Sequence, residues 1–107
     1  MNSGFHLAPA GSSKCDYGTT IGKSDCEGIV RRFAATFEQV PRRRMRIGSG
    51  GSCLDGSWGQ VPRGCSAASG GSWTALYKTS TDNGEGCIHS AYQLVCLSTG
   101  KYFIRVC

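Results

Sequence analysis

Seven cysteines dispersed along 107 residues constrain this chain more than any other feature. They stand at Cys15, Cys26, Cys53, Cys65, Cys87, Cys96 and Cys107, and the closest two, Cys87 and Cys96, are nine positions apart. A zinc ribbon or a redox dithiol relies on close pairs that grip one ion or one partner thiol. Single cysteines far apart suit long-range disulfides instead, formed in an oxidising compartment. No metal and no cofactor is expected. The number is odd, so one thiol is free, has lost its partner, or bridges a second chain; the protein is a monomer, or a dimer through that cysteine. Spacing does not select one pairing. Cross-links suit a domain this short, which buries only a modest core.

The first stretch, "MNSGFHLAPAGSS", has no basic start and no apolar h-region, so it does not read as a signal peptide. It reads as a flexible leader over 1–13, with His6 as a solvent-exposed tail residue. If the protein is secreted, this is the mature chain with an added Met1. Residues 14–107 form the expected single disulfide-rich domain. No apolar run approaches the length of a transmembrane segment. The net charge of +5 favours anionic partners, whether nucleic acid, acidic polysaccharide or a lipid surface.

"GKSDCEGIVRRFAATFEQVP" carries the clearest periodicity. Ser24 followed by Glu27 reads as a capping box, and Cys26, Ile29, Val30, Phe33 and Phe37 fall on one stripe. Pro41 ends the pattern, so the spacing predicts a helix over 25–39 with a disulfide from Cys26 to the sheet beneath. In "RRRMRIGSG", Met45 and Ile47 alternate with Arg44 and Arg46, as in a half-buried strand with wet arginines. Gly48 to Gly71 reads as a long loop pinned by Cys53 and Cys65. "SWTALYKTS" reads as a strand with Trp73 inside, "TDNGEG" as a turn, and "CIHSAYQLVCL" and "KYFIRVC" as further strands joined by a turn at "STGK". The expected fold is α+β: one amphipathic helix packed on an antiparallel sheet of three to five strands, stabilised by disulfides.

Three kinds of site can be weighed from the residues. "GTTIGKS" leads into the helix, but a phosphate loop needs four residues between its glycines and this stretch has three. A turn and a helix cap explain it. Nucleophilic catalysis would need a histidine base, and His89 stands near Cys87 without a signature motif. None of the seven acids stands inside an apolar strand, where burial would tune it for acid catalysis. No catalytic residue is therefore expected. The arginines remain: Arg42, Arg43, Arg44 and Arg46 occupy four of five positions. Guanidinium groups grip carboxylates and phosphates bidentately, and Trp58, in a Gly/Ser loop, offers an exposed ring beside them. The plainer explanation of the run is a solvated strand edge whose charges deter aggregation. A carbohydrate-binding surface built on the tryptophans is a third reading.

"KCDYGTTIGKSDCEGIVRRF" followed by "RMRIGSGGSC" resembles the killer-toxin-like and necrosis-inducing effector families of fungi. In those, a cysteine precedes an Asp-Cys that opens an amphipathic helix, and a strand then ends in Gly-x-Cys. Cys15, Cys26 and Cys53 match that order, and the strand ending at Cys107 is similar. "CDYG" and "SDCEGIV" also resemble the small fungal guanyl-specific ribonucleases and their inactive effector relatives, which fold as one helix on an antiparallel sheet. That resemblance lacks the chemistry. No histidine stands in "VPRRRM", no glutamate near "SWTALYK", and Gln93 replaces the expected arginine. The resemblances imply a secreted, non-enzymatic, fungal-type effector or antimicrobial toxin. It would act on a host or competing microbe through a basic surface that meets an anionic surface, a glycan or a protein. The alternative they imply is a ribonuclease-like protein that binds RNA without cleaving it.

Overall fold

The structure, a computed structural model, describes residues 4–50, 53, 58–79 and 87–98. Its one α-helix, α1, runs over Lys23–Thr36. Cys26, Ile29, Val30, Phe33 and Ala34 are buried along one side of it, as the stripe requires. Arg31, Arg32 and Ala35 are exposed on the other. Burying each large apolar side chain stabilises the fold by about 1.5–3 kcal/mol.

The helix starts earlier than the capping box implies. Gly22 is the N-cap and makes no side-chain cap bond. Ile21 is buried just before it, and this anchor draws the chain into helix two residues ahead of the expected start. Glu27 is then free for a longer-range role. Its carboxylate accepts the Met45 amide at 2.9 Å and lies 3.9 Å from the Arg31 guanidinium. The helix also stops sooner, before Pro41 can act. The Glu38 amide donates to Ala35 and the Gln39 amide to Ala34, a Schellman closure. Glu38 sits at φ 59, where glycine is usual. Phe37 therefore lies past the helix, 59% exposed, with its ring stacked on Trp73 at 5.5 Å.

Six strands make the sheet: β1 (Phe5–Leu7), β2 (Thr19–Thr20), β3 (Arg46–Gly48), β4 (Gly64–Ala67), β5 (Ala75–Lys78) and β6 (Gln93–Leu97). The order is β1-β6-β4-β5-β3, with β2 also paired to β6. All pairs are antiparallel except β3 with β5, which is parallel. The α+β architecture with one helix on a disulfide-stabilised sheet is as expected, but the sheet is mixed and larger than expected.

Three strands, β1, β2 and β4, were hidden in the sequence. Phe5–Leu7 pairs with Leu97, Cys96 and Val95, so the expected leader contributes a strand. β4 lies inside the expected loop and is buried at all four positions. Its small residues obscure any period of two, because the strand is covered on both faces. The turn that follows holds a second residue in a left-handed conformation. Trp73, at φ 59, faces Ala68 across the hairpin, donating its amide to the Ala68 carbonyl while the Ala68 amide donates to Thr74. This is a bulge where glycine is the usual occupant. Trp73 is nonetheless only 6% exposed, and burial of its ring holds the strained backbone in place.

Strand alternation separates two faces. Cys65, Ala67, Ala75 and Val95 join the helix residues in the main core, and Cys26–Cys65 staples helix to sheet. Ser66, Leu76, Lys78, Leu94 and Cys96 point to the opposite face, which is roofed by the one-turn 3-10 helix Trp58–Gln60 and residues 87–92. Cys15–Cys96 and Cys53–Cys87 fasten that side. Ile47, expected inside, is 52% exposed. It sits on the outermost strand, and α1 packs over β4 and β5 instead. The expected turn over 81–86, the "STGK" turn and the closing strand with Cys107 lie outside the described residues.

Candidate functional site

At one end of the sheet, the loop before β2, the start of α1, the start of β4 and the end of β5 enclose a cleft of about 1000 Å³. Lys14 enters it from the loop, Lys23 from the first position of α1, and Arg63 from the residue before β4. Thr19 and Thr20 of β2 line the same space, and no carboxylate is among its lining residues that the structure describes. Lys14, Lys23 and Arg63 are exposed and make no ion pair among the described residues. Lys78 contributes to the floor but is only 1% exposed, with its Nζ donating to the Val61 carbonyl at 3.1 Å.

Covalent and steric constraints put these groups there. The Cys15–Cys96 bond ties the 13–20 segment to β6. Gly18 then crosses β6 at φ 76, with a side chain at that position colliding with the Leu97 carbonyl. Only glycine permits so close an approach in that conformation. The "GTTIGKS" stretch makes no side-chain helix cap. It supplies Gly18, Thr19, Thr20 and Lys23 to a basic cleft.

The arginine run lies elsewhere. Arg42, Arg43 and Arg44 are exposed between α1 and β3, and the Arg42 amide donates to Ser72 at 3.0 Å. Arg46 opens β3 and is exposed. Trp58 is half-buried rather than exposed, because its indole lies against Gly48 in the space a side chain there would fill. Arg46 and Gly48 share a face by alternation, so Trp58 and Arg46 sit on the same side of β3. Neither Trp58 nor any of these four arginines lines the basic cleft. A second cleft, of about 480 Å³, runs past Phe37, Gln39, Ser69, Trp73 and Gln93. Gln93 is already engaged there, accepting from Ser69 and donating to the Ala8 carbonyl.

His6 is no loose tail residue. Its Nε2 lies 2.8 Å from Asp16 Oδ1, its Nδ1 2.8 Å from Ser98 Oγ, and its ring stacks on Tyr17 at 4.0 Å. The hydrogen bond from His6 holds the Asp16 carboxyl below its ordinary value of 3.8. His6 and Ser98 line neither cleft, so this chain of contacts acts as a clasp joining β1, the Cys15 loop and the end of β6. Cys96 also lies within ligand distance of His6 and Asp16, but its sulfur is committed to Cys15 and offers no thiolate to a metal. His89 is exposed, and its Nδ1 accepts the Ala91 amide at 2.9 Å, a local turn contact.

The sequence singled out the arginine run and missed this cleft because it shows clustering only along the chain. Lys14, Lys23 and Arg63 are isolated in sequence and meet only after folding. The cysteine beside Lys14 and the glycines flanking Thr19 and Thr20 are the local hints. No family model matches this chain, and no curated protein or solved structure matches it either.

Proposed function

We propose that this is an extracellular, non-enzymatic effector or antimicrobial toxin of fungal type, acting on a host or competing microbe by binding an anionic partner. Three disulfides are in keeping with an oxidising compartment. No helix among the described residues is long and apolar enough to cross a membrane. The observation that carries the reading is that Lys14, Lys23 and Arg63 line one cleft with no acidic residue among its described lining residues. Like charges held together without partners repel one another, and an anionic ligand relieves that repulsion. The exposed run from Arg42 to Arg46 adds to the same positive field, which speeds encounter with an anion.

The test applies the purified protein to host tissue and to competing microbes, alongside the triple variant Lys14→Gln, Lys23→Gln, Arg63→Gln. Necrosis or growth inhibition should occur with the parent and fall sharply with the variant. Cleavage of RNA by the parent, abolished in His89→Ala, would replace this reading with a nuclease.

A further inference from the structure

We infer that the ligand of the basic cleft is a segment of an acidic polysaccharide, held through its repeated carboxylate or sulfate groups and its hydroxyls. This rests on the anionic-partner reading above and adds the class of ligand and the place where it binds.

Size comes first. A cleft of about 1000 Å³ is at the upper end of the range for a small-molecule site and far exceeds what one oxyanion fills. Its three accessible cations come from three separate segments: the Cys15 loop, the start of α1 and the entry to β4. Three cations from separate segments, lining a space much larger than one oxyanion, suit a ligand that carries more than one anionic group.

The lining chemistry then separates polymers. Single-stranded nucleic acids are usually held by aromatic side chains on which bases stack, each stack contributing about 1–3 kcal/mol. Among the described residues, the cleft's one aromatic lining residue is Tyr77, which is half-buried and packed against the main core. What the cleft offers in place of ring faces is hydroxyl groups. Ser13, Thr19, Thr20 and Thr79 line it beside the cations. A hydroxyl both donates and accepts, so it can serve a sugar hydroxyl in either role. Arg63 can grip a carboxylate or sulfate bidentately, and the two lysines act as point charges. A charged sugar polymer presents this alternation of anion and hydroxyl along its length. A lipid surface fits poorly, because the charges line a concavity and none of its described lining residues is an exposed large apolar one.

The experiment measures binding by isothermal titration at two salt concentrations. The probes are a sulfated heparin hexasaccharide, an oligogalacturonate of similar length, neutral cello-oligosaccharide and single-stranded poly(U). The proteins are the parent, the cleft variant Lys14→Gln/Lys23→Gln/Arg63→Gln, the run variant Arg42→Gln/Arg43→Gln/Arg44→Gln/Arg46→Gln, and Arg31→Gln/Arg32→Gln as a charge control on the outer face of α1.

One or both acidic saccharides should bind the parent at least tenfold more tightly than poly(U), with affinity falling as salt rises. The cleft variant should lose at least tenfold, and the other two variants less than threefold. Which acidic saccharide binds identifies carboxylate or sulfate as the anion. Tighter binding of poly(U), lost in the cleft variant, overturns the polysaccharide assignment and leaves the anionic-partner reading standing. Loss only in the run variant moves the site to the arginines and overturns the cleft. Absence of binding to every anionic probe defeats both readings. Circular dichroism of each variant, matching the parent, excludes misfolding as the cause.

Discussion

On the helix-covered face of the sheet, Val30, Phe33, Ala67, Trp73 and Val95 share one apolar core. On the other face, Ser66, Leu76, Lys78 and Leu94 are roofed by irregular chain, and among the described residues a smaller apolar cluster joins Ala8, Leu94 and Cys96 with Cys15. The first face is stabilised mainly by burial, with one disulfide added. Among the described residues the second carries a smaller apolar cluster. Two disulfides, the Lys78 bond to Val61 and the His6 clasp hold it instead. Sulfur substitutes for grease where the chain must stay polar. The basic cleft opens beside this cross-linked side, so mutually repelling cations can be held in place without a core beneath each one.

The largest expected effect breaks the second face. Cys15→Ala with Cys96→Ala opens a loop spanning 81 residues, which costs about 4.5 kcal/mol by chain entropy. Urea unfolding should show the loss, and limited proteolysis should cut first within 13–20 while the helical signal persists. A doubly substituted protein of unchanged stability would mean that packing, not sulfur, holds this side.

Next comes the first face. Phe33→Ala removes a buried ring from the core beneath the helix and should cost about 3–4 kcal/mol, measured in the same unfolding experiment. Its helical signal should weaken with the rest of the fold. A loss under about 1 kcal/mol would show that burial is not what secures α1.

A smaller effect has the opposite sign. The Ser66 hydroxyl is buried on the disulfide-held face with no hydrogen-bond partner among the described residues. Ser66→Ala should therefore stabilise by about 1 kcal/mol. Destabilisation would reveal a partner for that hydroxyl and a better satisfied second face.

The smallest effect is the pH dependence of the clasp. The Asp16 carboxyl is lowered from 3.8 in the folded protein. Its contribution is therefore fully present above the unfolded value and is lost as pH falls through the lower folded value. Asp16→Asn should be slightly less stable at neutral pH, and its stability should fall less between pH 5 and 2 than the parent's. Parallel acid limbs for the two proteins would remove the clasp from the account.

Legibility in the sequence followed the range of the interaction. The stripe Cys26, Ile29, Val30 and Phe33 is local, and α1 carries it as read. So does the link from Cys26 to the sheet, made by Cys65. β5 sits within "SWTALYKTS" and β6 within "CIHSAYQLVCL". The failures have one cause. β1 becomes a strand only because β6 offers it an edge, and "GCSA" becomes one only because both of its faces are covered. Glu27 gave up its expected cap for the amide of Met45, a partner far along the chain. The Gly-Gly at 70–71, between β4 and β5, was the missed local sign of the hairpin.

By itself the sequence determined that a short chain with scattered cysteines would carry one amphipathic helix, a small sheet and a disulfide framework. Those properties follow from periodicity, composition and spacing, which act within a few residues. Tertiary structure alone decided the pairings, the parallel placement of β3, the buried lysine and the meeting of Lys14, Lys23 and Arg63. Each of these depends on distant segments being brought together, and the free energy that does so lies in burial and cross-linking that no single stretch of the chain contains.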